Sequence, residues 1–142
     1  MAAWVKAHID KPILIGPDEE SLQWVSEVAG LADAPYLVLN KTRLGDREVQ
    51  VTPPEMASYQ QHTPVLVDDI ISTAHTMIET VQHLKQLTPQ APVCIGVHAV
   101  FAEGAYEALL QAGAAQVITC NTIPHVSNGI HVDALLAEAI RT

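Results

Sequence analysis

The chain has 142 residues, 49% hydrophobic and 16% charged, with 7 Lys+Arg against 16 Asp+Glu for a formal net charge of −9. That length fits one domain over residues 1–142, and the composition supports a sizeable core and excludes wholesale disorder. The acidic balance argues against broad contact with nucleic acid or an anionic membrane, which need a basic surface. It leaves room for a small phosphorylated ligand held by backbone N–H groups, a few basic side chains and a metal ion.

At the start of the chain, Trp4, Val5, His8 and Ile9 have helical spacing with no capping residue before them. The chain therefore reads as beginning inside a helix, the pattern expected of a piece of a longer protein. The same stretch lacks the basic start, apolar core and cleavage site of a secretory signal. No apolar run approaches the roughly 20 residues of a membrane span, so a cytoplasmic location is expected. Pro12–Gly16 (PILIG) is predicted as a buried strand. Asp18 is placed to cap a helix whose inward face is Leu22, Val25, Val28 and Ala29, closed by Gly30. Pro35–Leu39 and Glu48–Thr52 are the next predicted strands, and Pro53–Pro64 is a loop with room for one helical turn. Val65–Val67 is a strand leading into Asp68-Asp69. Ala74–Leu87 is the strongest amphipathic helix, with Ala74, Met77, Ile78, Val81 and Leu84 on one stripe.

Beyond it, Val93–Phe101 is predicted as a strand, Gly104–Ala112 as a helix ending at Gly113, and Gln116–Cys120 as a strand. Asp133 caps a last helix through Ile140. Cys94 and Cys120 sit in apolar stretches and are expected to be reduced and buried. The seven histidines form no HxxxH or HxH pair, so no zinc site is expected. His98, inside a strand, reads as a hydrogen-bonded core residue, and Trp4 and Trp24 as packing residues.

Strands apolar on both sides, alternating with helices, define an α/β three-layer sandwich with a mostly parallel central sheet. Such sheets bind ligands at the carboxyl ends of their strands. That directs attention to Gly16–Asp18, Asn40–Arg43, Asp68–Thr76 and Phe101–Glu103. The most specific run is Pro64–Met77, PVLVDDIISTAHTM. It joins a buried strand, two carboxylates and a hydroxyl-rich turn that opens a helix. Unpaired N–H groups at such a helix start attract an anion, and Ser72, Thr73 and Thr76 add donors. Asp68 and Asp69 suit sugar hydroxyls or a divalent cation. Taken without further context, the same residues also fit a strand end with solvated acids and an ordinary cap. Asp18 likewise fits a helix cap, and Lys41 and Arg43 fit solvated loop charges.

A hydrophobic run, DD, two apolar residues, then S-T-x-x-T resembles the sugar-phosphate loop of the phosphoribosyltransferase fold. GPDEES at Gly16–Ser21, Lys41-Thr42-Arg43, VHAVF at Val97–Phe101 and TCNTIPH at Thr119–His125 narrow the resemblance. Together they are similar to the C-terminal half of ribose-phosphate pyrophosphokinase, over nearly the whole chain. The resemblance implies a phosphoribosyltransferase-like fold and diphosphate transfer from ATP to ribose 5-phosphate with Mg²⁺. Under it, Ser72, Thr73, Ala74, His75 and Thr76 cradle the 5-phosphate, while Asp68 and Asp69 hold ribose hydroxyls. Lys41 and Arg43 stabilise charge on the transferring phosphoryl group, and Asp18 belongs to a magnesium site beside the nucleotide. It also implies a homo-oligomer, and most adenine contacts from a half that is not in this chain, so the chain alone is expected to be weak or inactive. Two departures stand out: Ser72 where many members have Asp, and His75 where Gly is usual. Two other functions remain open: a nucleobase phosphoribosyltransferase, and a non-catalytic regulatory or associated protein of the same family.

Overall fold

Alternation of apolar residues along the strands decides the architecture. In the computed structural model, which describes residues 1–51 and 53–141 and only the backbone at 41–44, 47–51 and 54, β1 (Pro12–Gly16) is buried on both sides. Ile13 and Ile15 enter one core and Leu14 the other. The same split recurs on β5 (Thr63–Ile71), with Leu66 against Val65 and Val67, and on β6 (Val93–Ala99), with Cys94 against Val93 and Ile95. A strand buried on both faces needs a helical layer on each. One layer is α1 (Ala2–His8) with α2 (Leu22–Ala32), which supply Val5, Val25, Ala29 and Ala32. The other is α3 (His75–Leu87) with α4 (Ala105–Ala112), which supply Met77, Val81, Leu84 and Leu109.

The sheet is completed by β2 (Tyr36–Val38), β7 (Gln116–Cys120) and β8 (Asn128–Ile130), in the order β2-β1-β5-β6-β7-β8. Every neighbouring pair is parallel. The chain runs outward from β1 to β2 and then returns to place β5 on the other side of β1. The order therefore reverses between β1 and β5, and the loops leaving those two strands diverge to open a crevice. A separate antiparallel hairpin, β3 (Asn40–Leu44) and β4 (Arg47–Val51), stands between β2 and β5 in sequence. The last helix, α5 (Asp133–Arg141), buries none of its residues and leaves Leu135, Leu136 and Ile140 exposed.

Several boundaries differ from the sequence expectation. The helix after Asp18 does not close at Gly30. It begins with a short 3₁₀ turn, Glu19–Ser21, and runs to Ala32, where Asp33 takes the left-handed conformation (φ 56°) that ends it. Leu22, expected to face inward, is 48% exposed. The strand expected over Val93–Phe101 stops at Ala99, and β8 and β3 arise where no strand was predicted. Most consequential for function, β5 does not end before the carboxylates. It continues through Asp68, Asp69 and Ile70 to Ile71, because β6 runs alongside and pairs Asp68 with Gly96 and Ile71 with Ala99. Cys94 and Cys120 are free and buried, and among the described residues no helix is long and apolar enough to cross a membrane.

Candidate functional site

At the switch point, β5 delivers the carboxylates and α3 an exposed helix start. Asp68 is half-buried and Asp69 exposed, and their carboxyl oxygens accept from the backbone N–H of the following residue, Asp69 and Ile70 respectively, at 2.8 Å each. The strand then turns through Ser72 and Thr73 into Ala74, whose left-handed backbone (φ 65°) redirects the chain into α3. This conformation costs an alanine on the order of 1 kcal/mol relative to its preferred regions. The first helical bond runs from Ile78 N–H to the Ala74 carbonyl at 2.8 Å, and no side chain caps the helix. Its leading N–H groups are thus unsatisfied by the helix itself.

The neighbouring loop fixes this turn from behind. Val100 N–H donates to the Ile71 carbonyl at 3.1 Å and Ala102 N–H to the Ser72 carbonyl at 3.0 Å. With those carbonyls engaged, the turn presents donors to a cavity of about 180 Å³, lined by Asp68, Ser72, Thr73, Ala74, His75 and Thr76 among others. Asp68, which lines that cavity, suits a hydroxyl donor, and the turn with its uncapped helix suits an anion; Asp69, next along the extended strand, is exposed and is not among the lining residues.

Burial pushes the Asp68 carboxyl from its ordinary 3.8 up to about 6, with the neighbouring Asp69 and then Asp18 adding to the rise. A carboxyl that holds its proton more tightly folded than unfolded contributes stability below pH 4, which is lost as pH rises through 6. Asp68→Asn is therefore expected to stabilise the unliganded protein at pH 8 by about 1 kcal/mol, after discounting for the half-exposed position. The gain should vanish near pH 4. Urea unfolding at both pH values checks this; equal gains at both would remove burial of charge as the cause.

Asp18 stands at the end of β1, across the crevice. Its Oδ1 accepts from Ser21 N–H at 3.1 Å, while Ser21 Oγ donates to the Asp18 carbonyl at 2.6 Å. It is thus the cap read from the sequence, and its charge also reaches Asp68. Among the described residues no group of three His, Cys, Asp or Glu side chains could hold a metal on its own. Mg²⁺ keeps waters and takes one or two carboxylates together with substrate phosphates, so no more than two of Asp18, Asp68 and Asp69 could serve it together. Lys41 and Arg43 occupy alternate positions of β3, opposite Gln50 and Glu48; their side chains lie outside the described residues. The sequence reading missed the supports of the turn: Ile71, Val100, Ala102 and Gly96. A glycine inside the apolar strand VCIGVHA was the available signal for close approach.

A doubly covered parallel sheet with an uncapped helix start and paired acids at its switch point is the arrangement of a phosphoribosyltransferase-type protein. The chain belongs to the phosphoribosyl transferase domain family, whose model matches residues 1–135. It is 30% identical over 125 residues to ribose-phosphate pyrophosphokinase of Sulfurisphaera tokodaii, covering 87% of this chain and 43% of that protein. To the Methanopyrus kandleri enzyme of the same name it is 33% identical over 128 residues, covering 90% and 44%. Phosphoribosylpyrophosphate synthetase from Mycobacterium smegmatis shares the fold with a TM-score of 0.80 at 23% identity, over 99% of this chain and 48% of that one. The chain spans about half the length of the curated relatives it matches.

Proposed function

We propose that this chain is the sugar-phosphate-binding half of a ribose-phosphate diphosphokinase. In that reaction the 1-hydroxyl oxygen of ribose 5-phosphate attacks the β-phosphorus of ATP. The bond from that phosphorus to the bridging oxygen breaks, AMP leaves with that oxygen, and the hydroxyl proton passes to solvent. Phosphoryl transfer of this kind depends mainly on positioning and on stabilising charge. Ser72, Thr73, Ala74, His75 and Thr76 hold the 5-phosphate through the turn and the start of α3, and Asp68 and Asp69 accept from the ribose hydroxyls. Lys41 and Arg43 bring positive charge from the hairpin to the transferring group. Asp18 would take part in holding Mg²⁺, whose charge would offset that of the phosphates. The observation that carries the reading is the uncapped start of α3 behind a turn whose carbonyls are already bonded, beside two carboxylates.

Calorimetry tests it directly. Ribose 5-phosphate with Mg²⁺ is expected to bind, and ATP alone to bind weakly or not at all, because most adenine contacts belong to the half not in this chain. Loss of phosphoribosyl pyrophosphate that depends on an added nucleobase would instead identify a nucleobase phosphoribosyltransferase. Absence of binding for both ligands would identify a regulatory or associated member.

His75 supplies a second, sharper test, since it is exposed at the first position of α3 and lines the cavity. His75→Lys places a fixed cation against the bound phosphate, and binding is expected to tighten about fivefold. The same cation opposes the positive end of the helix, so the free protein should lose about 0.5 kcal/mol. Affinity and melting temperature moving in opposite directions support the phosphate placement; a parallel change contradicts it.

A further inference from the structure

Asp18 sits in a turn whose geometry is set by one buried hydroxyl. β1 ends at Gly16, and Pro17 and Asp18 lead into the 3₁₀ turn Glu19–Ser21 that opens α2. Three bonds tie Ser21 to Asp18. The Ser21 N–H is shared between Asp18 Oδ1 at 3.1 Å and the Asp18 carbonyl at 3.2 Å, and Ser21 Oγ donates to the same carbonyl at 2.6 Å. Among the described residues Asp18 Oδ2 has no hydrogen-bond partner.

Packing alone does not account for a serine at this position. Ser21 is 4% exposed, and withdrawing a hydroxyl from water is unfavourable unless it is hydrogen-bonded. An alanine would fill the same space without that desolvation. The space exists because residue 16 is a glycine: a Cβ there would collide with Ser21 Oγ and press on Val38 and Val25 at 3.2 and 3.3 Å. The strand end is thus shaped around a hydroxyl whose bond goes to the backbone of Asp18.

This bond has a consequence for the carboxylate. Oγ holds the Asp18 carbonyl and N–H holds Oδ1, so backbone and side chain are fixed together. With Oδ1 engaged, the carboxylate can meet a cation through Oδ2 alone, the single-oxygen contact that suits the strict octahedron of Mg²⁺. Its charge is felt at Asp68, so the two acids are neighbours across the crevice. We propose that Ser21, seated by Gly16, is a positioning residue that fixes Asp18 with one oxygen free for a divalent cation. That role rests on the reading of Asp18 as a magnesium-site acid, and the experiment below separates the two.

Mg²⁺ is titrated into the full chain and followed by amide ¹H–¹⁵N spectra. Saturable shifts are expected at Asp18–Leu22, and Asp18→Asn should abolish them. Ser21→Ala keeps the backbone N–H and removes the hydroxyl. It should need about tenfold more Mg²⁺ for half-saturation, a usual effect of losing a group that orients a metal ligand. Binding of ribose 5-phosphate without Mg²⁺ should not change, because the turn before α3 is bonded to the loop after β6 and not to Ser21. A serine that served only the helix would, when replaced, lower the melting temperature and leave the Mg²⁺ titration where it was; that result overturns the proposal. Ser21→Gly also lacks the hydroxyl and is well tolerated beside a helix start, so it decides the matter if Ser21→Ala does not fold. Shifts that persist in Asp18→Asn, or no saturable shifts in the unaltered chain, overturn the reading of Asp18 and this role with it. Shifts lost in Asp18→Asn but unaltered in Ser21→Ala overturn the role of Ser21 alone.

Discussion

Asp69→Asn is expected to weaken binding of ribose 5-phosphate by about tenfold, the loss that accompanies removal of one hydrogen bond to a charged acceptor. The side chain is exposed, and its Oδ1 bond from Ile70 N–H is one an asparagine can also accept, so the fold should be unaffected. Inorganic phosphate provides the contrast. It has no sugar hydroxyls for Asp69 to receive, and removal of a nearby negative charge should leave its binding equal or slightly tighter. Calorimetric titration of both ligands into both proteins reads this difference. A parallel loss for the two ligands would mean that Asp69 supports the turn rather than the sugar. An unchanged affinity for ribose 5-phosphate would remove the carboxylates from the sugar site.

That contrast depends on where β5 ends, which was only partly legible in the sequence. The apolar run Val65–Val67 marks a strand buried on both faces, and β1 and β7 were legible to the residue for the same reason. The acids looked like a strand end because charge at that point suits solvent. Pairing with β6 outweighs this and holds Asp68 to Ile71 extended. Long-range pairing of this kind leaves no local trace, which is why propensity yields to tertiary context. Of the β3–β4 hairpin only β4 was legible, as Glu48–Thr52; β3 was obscured by its polar composition, although Gly45-Asp46 between the two strands, with Gly45 at φ 63°, is a recognisable tight-turn signal. At α2, Gly30 was read as the stop because glycine commonly ends helices, whereas Asp33 adopts the left-handed geometry instead. At the site, residue types were readable but geometry was not. The left-handed backbone of Ala74 is not marked by its residue type, and the bonds from Val100 and Ala102 that orient the turn come from a loop more than twenty residues away.

Gly96→Ala tests that remote support and is expected to cost about 2 kcal/mol, lowering the melting temperature by roughly 4–8 °C. Gly96 pairs with Asp68 across the β5–β6 ladder, and a Cβ there would lie 2.6 Å from both Cγ1 and Cδ1 of Ile71. Ile71 is 2% exposed and packed in the core, so it has no free space into which to move. Displacing it shifts the carbonyl that receives Val100 N–H, and with it the adjoining Ser72 carbonyl held by Ala102. The turn that presents donors to the cavity is then misplaced, and affinity for ribose 5-phosphate should fall even where the variant is fully folded. Ile71→Ala creates the missing space but leaves a cavity, at a cost of about 3 kcal/mol by itself. The double variant should therefore be less destabilised than the sum of the singles, because each change relieves the strain or void made by the other. Thermal melts of the four proteins measure that coupling. Strict additivity would show that Gly96 and Ile71 do not compete for one space, and that the phosphate turn is held by the loop bonds alone.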